Sequence, residues 1–107
     1  MTAKQIIREE RDPLGVVAVP ATALYGVQTK RALDNFQISR LRVHPALITA
    51  FAEIKKAAAM ANRKAGSLPA ELADAIIRAA DEVIANQWQD QFQLDVFQAG
   101  AGTSYNM

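Results

Sequence analysis

Two apolar patterns of helical period, separated by three residues, constrain this chain more than any other feature. From Pro45 onward, Leu47, Phe51, Ile54, Ala58, Ala61 and Ala65 step by four and three, which places them on one helical stripe. A helix over 45–65 is about 30 Å long at the usual rise per residue. Arg63 and Lys64 suit its negative end, and Gly66 supplies the stop. Alanines at 57, 58, 59 and 61 let a neighbouring helix approach closely. The second pattern predicts a helix over 69–85, with Leu72, Ala73, Ile76, Ala80, Val83 and Ile84 inward and Glu71 and Asp74 near its positive end. Asp74 and Arg78 are spaced as an exposed pair worth a few tenths of a kcal/mol, roughly. The short link Gly66-Ser67-Leu68 makes an antiparallel helix hairpin the expected arrangement. Asp81 and Glu82 are adjacent on a helix and point in different directions, so they read as surface charges rather than a paired-carboxylate site.

The flanking segments are shorter. IIREERDPLGVVAV reads as two extended runs about Asp12-Pro13-Leu14-Gly15, whose proline and glycine fit a type I turn, and predicts a hairpin over 4–20. Such a hairpin is marginal in water without a supporting surface. A short helical segment is expected over 22–36, interrupted or started near Gly26, with Val27, Ala32, Leu33 and Phe36 inward. Its Gln28, Thr29, Lys30 and Arg31 have the composition of a solvated face. His44 precedes Pro45, a residue suited to the first position of a helix, and so reads as a boundary residue. Trp88 and Phe92 are candidates for a small aromatic cluster.

Composition removes several classes of function. The chain has 107 residues and a formal charge of +1, so one small domain is the most it is expected to hold, with no field to attract nucleic acid or an anionic membrane. It has no cysteine and one histidine. No thiolate or histidine metal cluster is therefore expected, and no metal or cofactor. No apolar run has membrane-spanning length and no secretion signal is apparent, which makes a cytoplasmic location the default expectation.

The remaining stretch, 92–107, carries the chemistry. Phe92, Leu94 and Val96 alternate with polar residues and predict a short strand or extended segment with one buried side. Gly100 and Gly102 follow, then Thr103, Ser104 and Asn106. Glycines let a ligand approach backbone N–H groups, and hydroxyl and amide side chains add donors, which is the outline of an anion site. Thr103 or Ser104 has the chemistry to cap a helix, although the chain is expected to end before that helix forms. No lysine stands in P-loop position and no third glycine continues the pattern, so the two common nucleotide fingerprints are absent.

DVFQAGAGTSYNM resembles the first signature segment of the aspartase and class II fumarase superfamily. The resemblance continues upstream through DPLG, VPATALYGVQTKRALDNF, KKAAAMAN and AADEVI, and so covers the chain from about Ile7 to Met107. The Gly-Thr-Ser form of the turn and the preceding Asp95-Val96-Phe97 resemble the aspartate ammonia-lyase branch more than the fumarase branch. The resemblance implies a mainly α fold and a single partial domain over 1–107: a hairpin or extended segment followed by a helix hairpin, as in the N-terminal domain of that fold, truncated before the central helical bundle. It implies a homotetramer for the complete family member, a small dicarboxylate substrate, and elimination of ammonia from L-aspartate to give fumarate. Thr103, Ser104 and Asn106 then fall at substrate-binding positions, with Thr103 the first choice for direct contact and Gly100 and Gly102 as the loop glycines. No residue of this chain is assigned as catalytic, because the base lies downstream, and the 107 residues alone are expected to be inactive. A class II fumarate hydratase fragment and a non-catalytic helical interaction module are the alternatives.

Overall fold

The computed structural model describes residues 5–107 and is mainly helical, with an N-terminal two-stranded hairpin. Position 4 of the expected hairpin lies outside the described residues. The chain forms two compact units, one made of the described residues up to Arg42 together with Gln93–Met107, the other of Val43–Phe92.

In the first unit, β1 (Ile7–Asp12) pairs antiparallel with β2 (Gly15–Pro20), Arg8 opposite Val19 and Glu10 opposite Val17. Alternation puts Val19, which is fully buried, on the inner face of β2. The same face of β1 carries Arg8, Glu10 and Asp12, while Ile7 points outward and is half exposed. A charged inner face is stable only when each charge is partnered. Asp12 accepts from Arg31 Nε at 2.8 Å, Arg31 Nη2 at 2.7 Å and Gln28 Nε2 at 2.9 Å. The hydrogen-bonded Arg31 guanidinium holds the Asp12 carboxyl below its ordinary pKa against the opposing effect of burial, and Asp12 raises Arg31 in return. Arg31 and Gln28 belong to α1 (Val27–Asn35), which also buries Thr29 and Ala32. The polar run 28–31 is therefore not a solvated face: two of its members anchor the helix to the hairpin turn and a third is buried.

Arg8 draws the connection between β2 and α1 around itself. Its Nε donates to Glu10 at 2.9 Å, its Nη1 to the carbonyls of Pro20 and Ala21 at 3.1 Å and of Ala23 at 2.6 Å, and its Nη2 to the Tyr25 carbonyl at 2.8 Å. Residues 21–25 lie outside any strand or helix, so the planar guanidinium acts as a common donor to the Ala21, Ala23 and Tyr25 carbonyls and adds to the Ala23 N–H at the Pro20 carbonyl.

The second unit is the helix pair. α2 (Pro45–Lys64) starts at His44, whose Nδ1 accepts the Ala46 N–H at 3.0 Å, with Pro45 in the first turn. α2 ends in a Schellman motif: Gly66, at φ 77°, donates to Arg63 and Ser67 donates to Asn62. α3 (Ala70–Ile84) ends the same way with Asn86 at φ 62°, which donates to Val83 while Gln87 donates to Glu82. Lys56 pairs with Asp81 and Arg63 with Asp74, both at 2.6 Å. Moving seven residues forward on α2 thus moves seven back on α3, which fixes the antiparallel register. Asp74 pairs across to α2 rather than with Arg78 on its own helix.

The buried seam differs from the expected stripe. Ile48, Ala52 and Ala59 of α2 and Ala73 and Ala80 of α3 are buried, whereas Ile54 is 65% exposed and Leu47, Leu72 and Ile76 are also exposed. Apolar residues outnumber what one face holds, and periodicity alone does not choose among them. Close packing selects the alanines, whose small side chains let the helices approach.

Candidate functional site

The glycine-rich turn belongs to the first unit and is held from both ends. At the upstream end, the short strand or extended segment expected from Phe92, Leu94 and Val96 is an extended segment with a single antiparallel bridge between Arg42 and Asp95, the Val96 N–H donating to the Leu41 carbonyl at 3.1 Å. Alternation fails because Leu94 and Asp95 are both buried. Asp95, only 6% exposed, uses its carboxylate in place of a ladder. It accepts from the N–H groups of Ser39 at 2.6 Å, Arg40 at 2.9 Å and Phe97 at 2.9 Å, from the Ser39 hydroxyl at 2.8 Å, and from the Ile38 N–H at 3.3 Å. Burial alone pushes such a carboxyl upward. Here the Phe97, Ser39 and Arg40 amides and the Ser39 hydroxyl outweigh it and hold Asp95 far below the usual carboxylate range. It is thus an ionised structural clamp between residues more than 50 positions apart in sequence.

Gln98 continues the approach, its Nε2 donating to the Asp95 carbonyl at 2.9 Å. Its Oε1 is buried and has no hydrogen-bond partner among the described residues. The chain then turns: Gly102 N–H donates to the Ala99 carbonyl at 3.0 Å, and Gly102 adopts the left-handed conformation at φ 73°. Only this glycine of the two is required by its backbone, because Gly100 lacks positive φ and has open space around it.

A one-turn helix, α4 (Thr103–Asn106), follows directly and packs on α1. A helix therefore does form before Met107, contrary to the expectation. Gly102, not Thr103 or Ser104, is its N-cap, and no side chain caps it. Ser104 turns inward and is 4% exposed, while Thr103 and Asn106 are exposed. Thr103 and Asn106 are thus on the surface of the turn, Ser104 is inside it, and the left-handed Gly102 sets its backbone. Among the described residues, no group of three or more His, Cys, Asp or Glu side chains is placed to hold a metal ion. No helix of the described residues is long and apolar enough to cross a membrane.

Sequence reasoning missed Arg8 and Asp95 as organising residues. In the sequence Asp95 occupies an ordinary polar position of the alternation, so nothing there marked it.

A hairpin, a helix pair and a clamped glycine turn in this order match the N-terminal domain of the fumarase and delta-crystallin fold. The sequence profile described as lyase matches residues 15–107, and the chain belongs to that family, in the superfamily that includes aspartases and class II fumarases. It is similar to an aspartate ammonia-lyase of Bacillus sp, 50% identical over 101 residues and 94% of this chain. A class II fumarate hydratase of Halobacterium salinarum is 53% identical over 100 residues, again 94% of this chain. Among solved structures, the fumarate lyase:delta crystallin of Brucella melitensis superposes with a TM-score of 0.91 at 46% identity, covering 95% of this chain and 24% of that one. The chain spans about a fifth of the length of these relatives, 22% of the first and 21% of the second.

Proposed function

We propose that this chain is the N-terminal segment of a lyase acting on a small dicarboxylate, of the kind that interconverts L-aspartate with fumarate and ammonia. The observation that carries the reading is the turn itself. A left-handed Gly102 delivers the chain into an exposed Thr103, and the Asp95 clamp fixes the approach. The hard step in such an elimination is removal of a proton beside a carboxylate, because the resulting dianion is poorly stabilised. Fixed donors at that carboxylate lower the barrier without reorganising during the reaction. Thr103 is assigned to direct substrate contact, Asn106 to a second donor or to support of the turn, and Ser104, Gly100 and Gly102 to its shape.

One wall of a site does not place a base opposite the substrate. The 107 residues alone are accordingly inactive in this reading, and the complete enzyme, a homotetramer by family resemblance, supplies the remaining groups. The choice of aspartate over malate rests on the Gly-Thr-Ser turn and Asp95-Val96-Phe97. Similarity is of equal degree to relatives carrying either name, so class II fumarate hydratase is the second reading. The test is fumarate formation by the complete polypeptide offered L-aspartate and L-malate separately. Release of ammonia with fumarate from aspartate supports the first reading; turnover of malate alone supports the second.

A further inference from the structure

The loop clamped by Asp95 borders an open depression of about 530 Å³ within the first unit. Leu33, Phe36, Ile38 and Leu41 give it an apolar wall, and Arg40 and Arg42 line it as well. Neither guanidinium has a hydrogen-bond or ion-pair partner among the described residues, in contrast to Arg8, Arg31 and Arg63. Asp95 also lines the depression, but both its oxygens are committed to N–H and O–H donors. Arg40 stands at φ 64°, a conformation in which a long side chain is strained and glycine or asparagine is not. Among the described residues, the other non-glycine residue at positive φ is Asn86, which suits its helix-end position. An arginine held in this backbone state is unfavourable for the fold, which points to the guanidinium itself as the reason for the residue.

We propose that this depression binds an organic anion with an apolar body. Its carboxylate or phosphoryl group meets Arg40 and Arg42, and its apolar part lies against Phe36 and Leu41. Arginine suits planar, bidentate recognition of either anion, and the neighbouring apolar wall separates such a ligand from inorganic ions. The inference is independent of the reaction proposed for the Thr103 turn, since none of residues 100–106 lines the depression.

The test is an amide-resolved NMR titration of the isotope-labelled complete polypeptide with phenylphosphonate, benzoate and inorganic phosphate. Saturable shifts over Ser39 to Arg42 are expected for one or both aromatic anions, at concentrations about tenfold or more below those needed with inorganic phosphate. The tighter of the two identifies the anionic group. Arg40→Gly removes the guanidinium and relieves the backbone, so it is expected to keep or raise the melting temperature while weakening binding about tenfold or more. Arg42→Gln is expected to weaken binding similarly and serves as the second variant. Shifts that do not saturate, equal response to inorganic phosphate, or undiminished affinity in both variants would overturn the proposal.

Discussion

Arg8 offers the sharpest test of how the hairpin unit is held together. Its guanidinium bonds to Glu10 and to four carbonyls over Pro20 to Tyr25, all within 3.1 Å. Nη1 carries two hydrogens and faces three carbonyls, so those contacts are shared rather than additive. Bonds to charged groups contribute about 1.5–3 kcal/mol each, and partial exposure lets water replace some of them when the side chain is removed. Arg8→Met should therefore cost roughly 2–3 kcal/mol, which is about a 30- to 150-fold change in a local opening equilibrium. Arg8→Lys should recover only part of this, because one ammonium lacks the planar spread needed to reach both Ala23 and Tyr25. Native-state hydrogen exchange provides the assay. Protection should fall by that factor at the Ala21 and Ala23 amides, which donate to Ile6 and Pro20, and stay unchanged in the α2–α3 pair. A loss under about threefold, or an equal loss in both units, would refute the claim that Arg8 organises the connection.

Three further outcomes are expected. Asp95 has a depressed carboxyl pKa, so its stabilising effect is complete above the unfolded value of about 3.9 and is lost as pH falls through the lower folded value. Asp95→Asn should reduce stability near neutral pH and flatten the acid limb of the pH–stability curve, as read by denaturant unfolding at several pH values. Gly102→Ala should destabilise the turn by about 1–2 kcal/mol because of its left-handed backbone, while Gly100→Ala should be close to neutral; thermal unfolding of the two variants side by side decides this. Ala73→Leu should overpack the helix seam and cost about 1–3 kcal/mol, since Ala73 is completely buried, and a melting temperature equal to the parent's would contradict the close packing proposed for α2 and α3.

The helix pair and the hairpin were readable because their signals are local: an apolar stripe ending in Gly66, and a Pro-Leu pair between two extended runs. Which apolar residues close the helix seam was not readable, since Leu47 and Ile54 satisfy the same period as Ile48 and Ala52, and the difference lies in a packing distance. The inner face of β1 was opaque for another reason. Arg8, Glu10 and Asp12 look like a solvent-facing set until the chain brings Tyr25 and Arg31 back to them. Asp95 likewise has nothing near it in sequence that shows its partners at Ser39 and Arg40. The glycine-rich turn was legible as composition, but which of its residues are buried was not. Gly102 takes the left-handed backbone, Ser104 is buried, and Thr103 and Asn106 are exposed.

Steady-state kinetics of Thr103→Val and Thr103→Ser in the complete polypeptide test the central claim most directly. Valine keeps the shape and removes the hydroxyl; serine keeps the hydroxyl. If Thr103 holds the substrate carboxylate, Thr103→Val should lower kcat/KM for the dicarboxylate substrate by roughly 100-fold or more, with serine restoring much of it. Unchanged kcat/KM in a folded Thr103→Val enzyme would contradict the assignment of this turn to substrate.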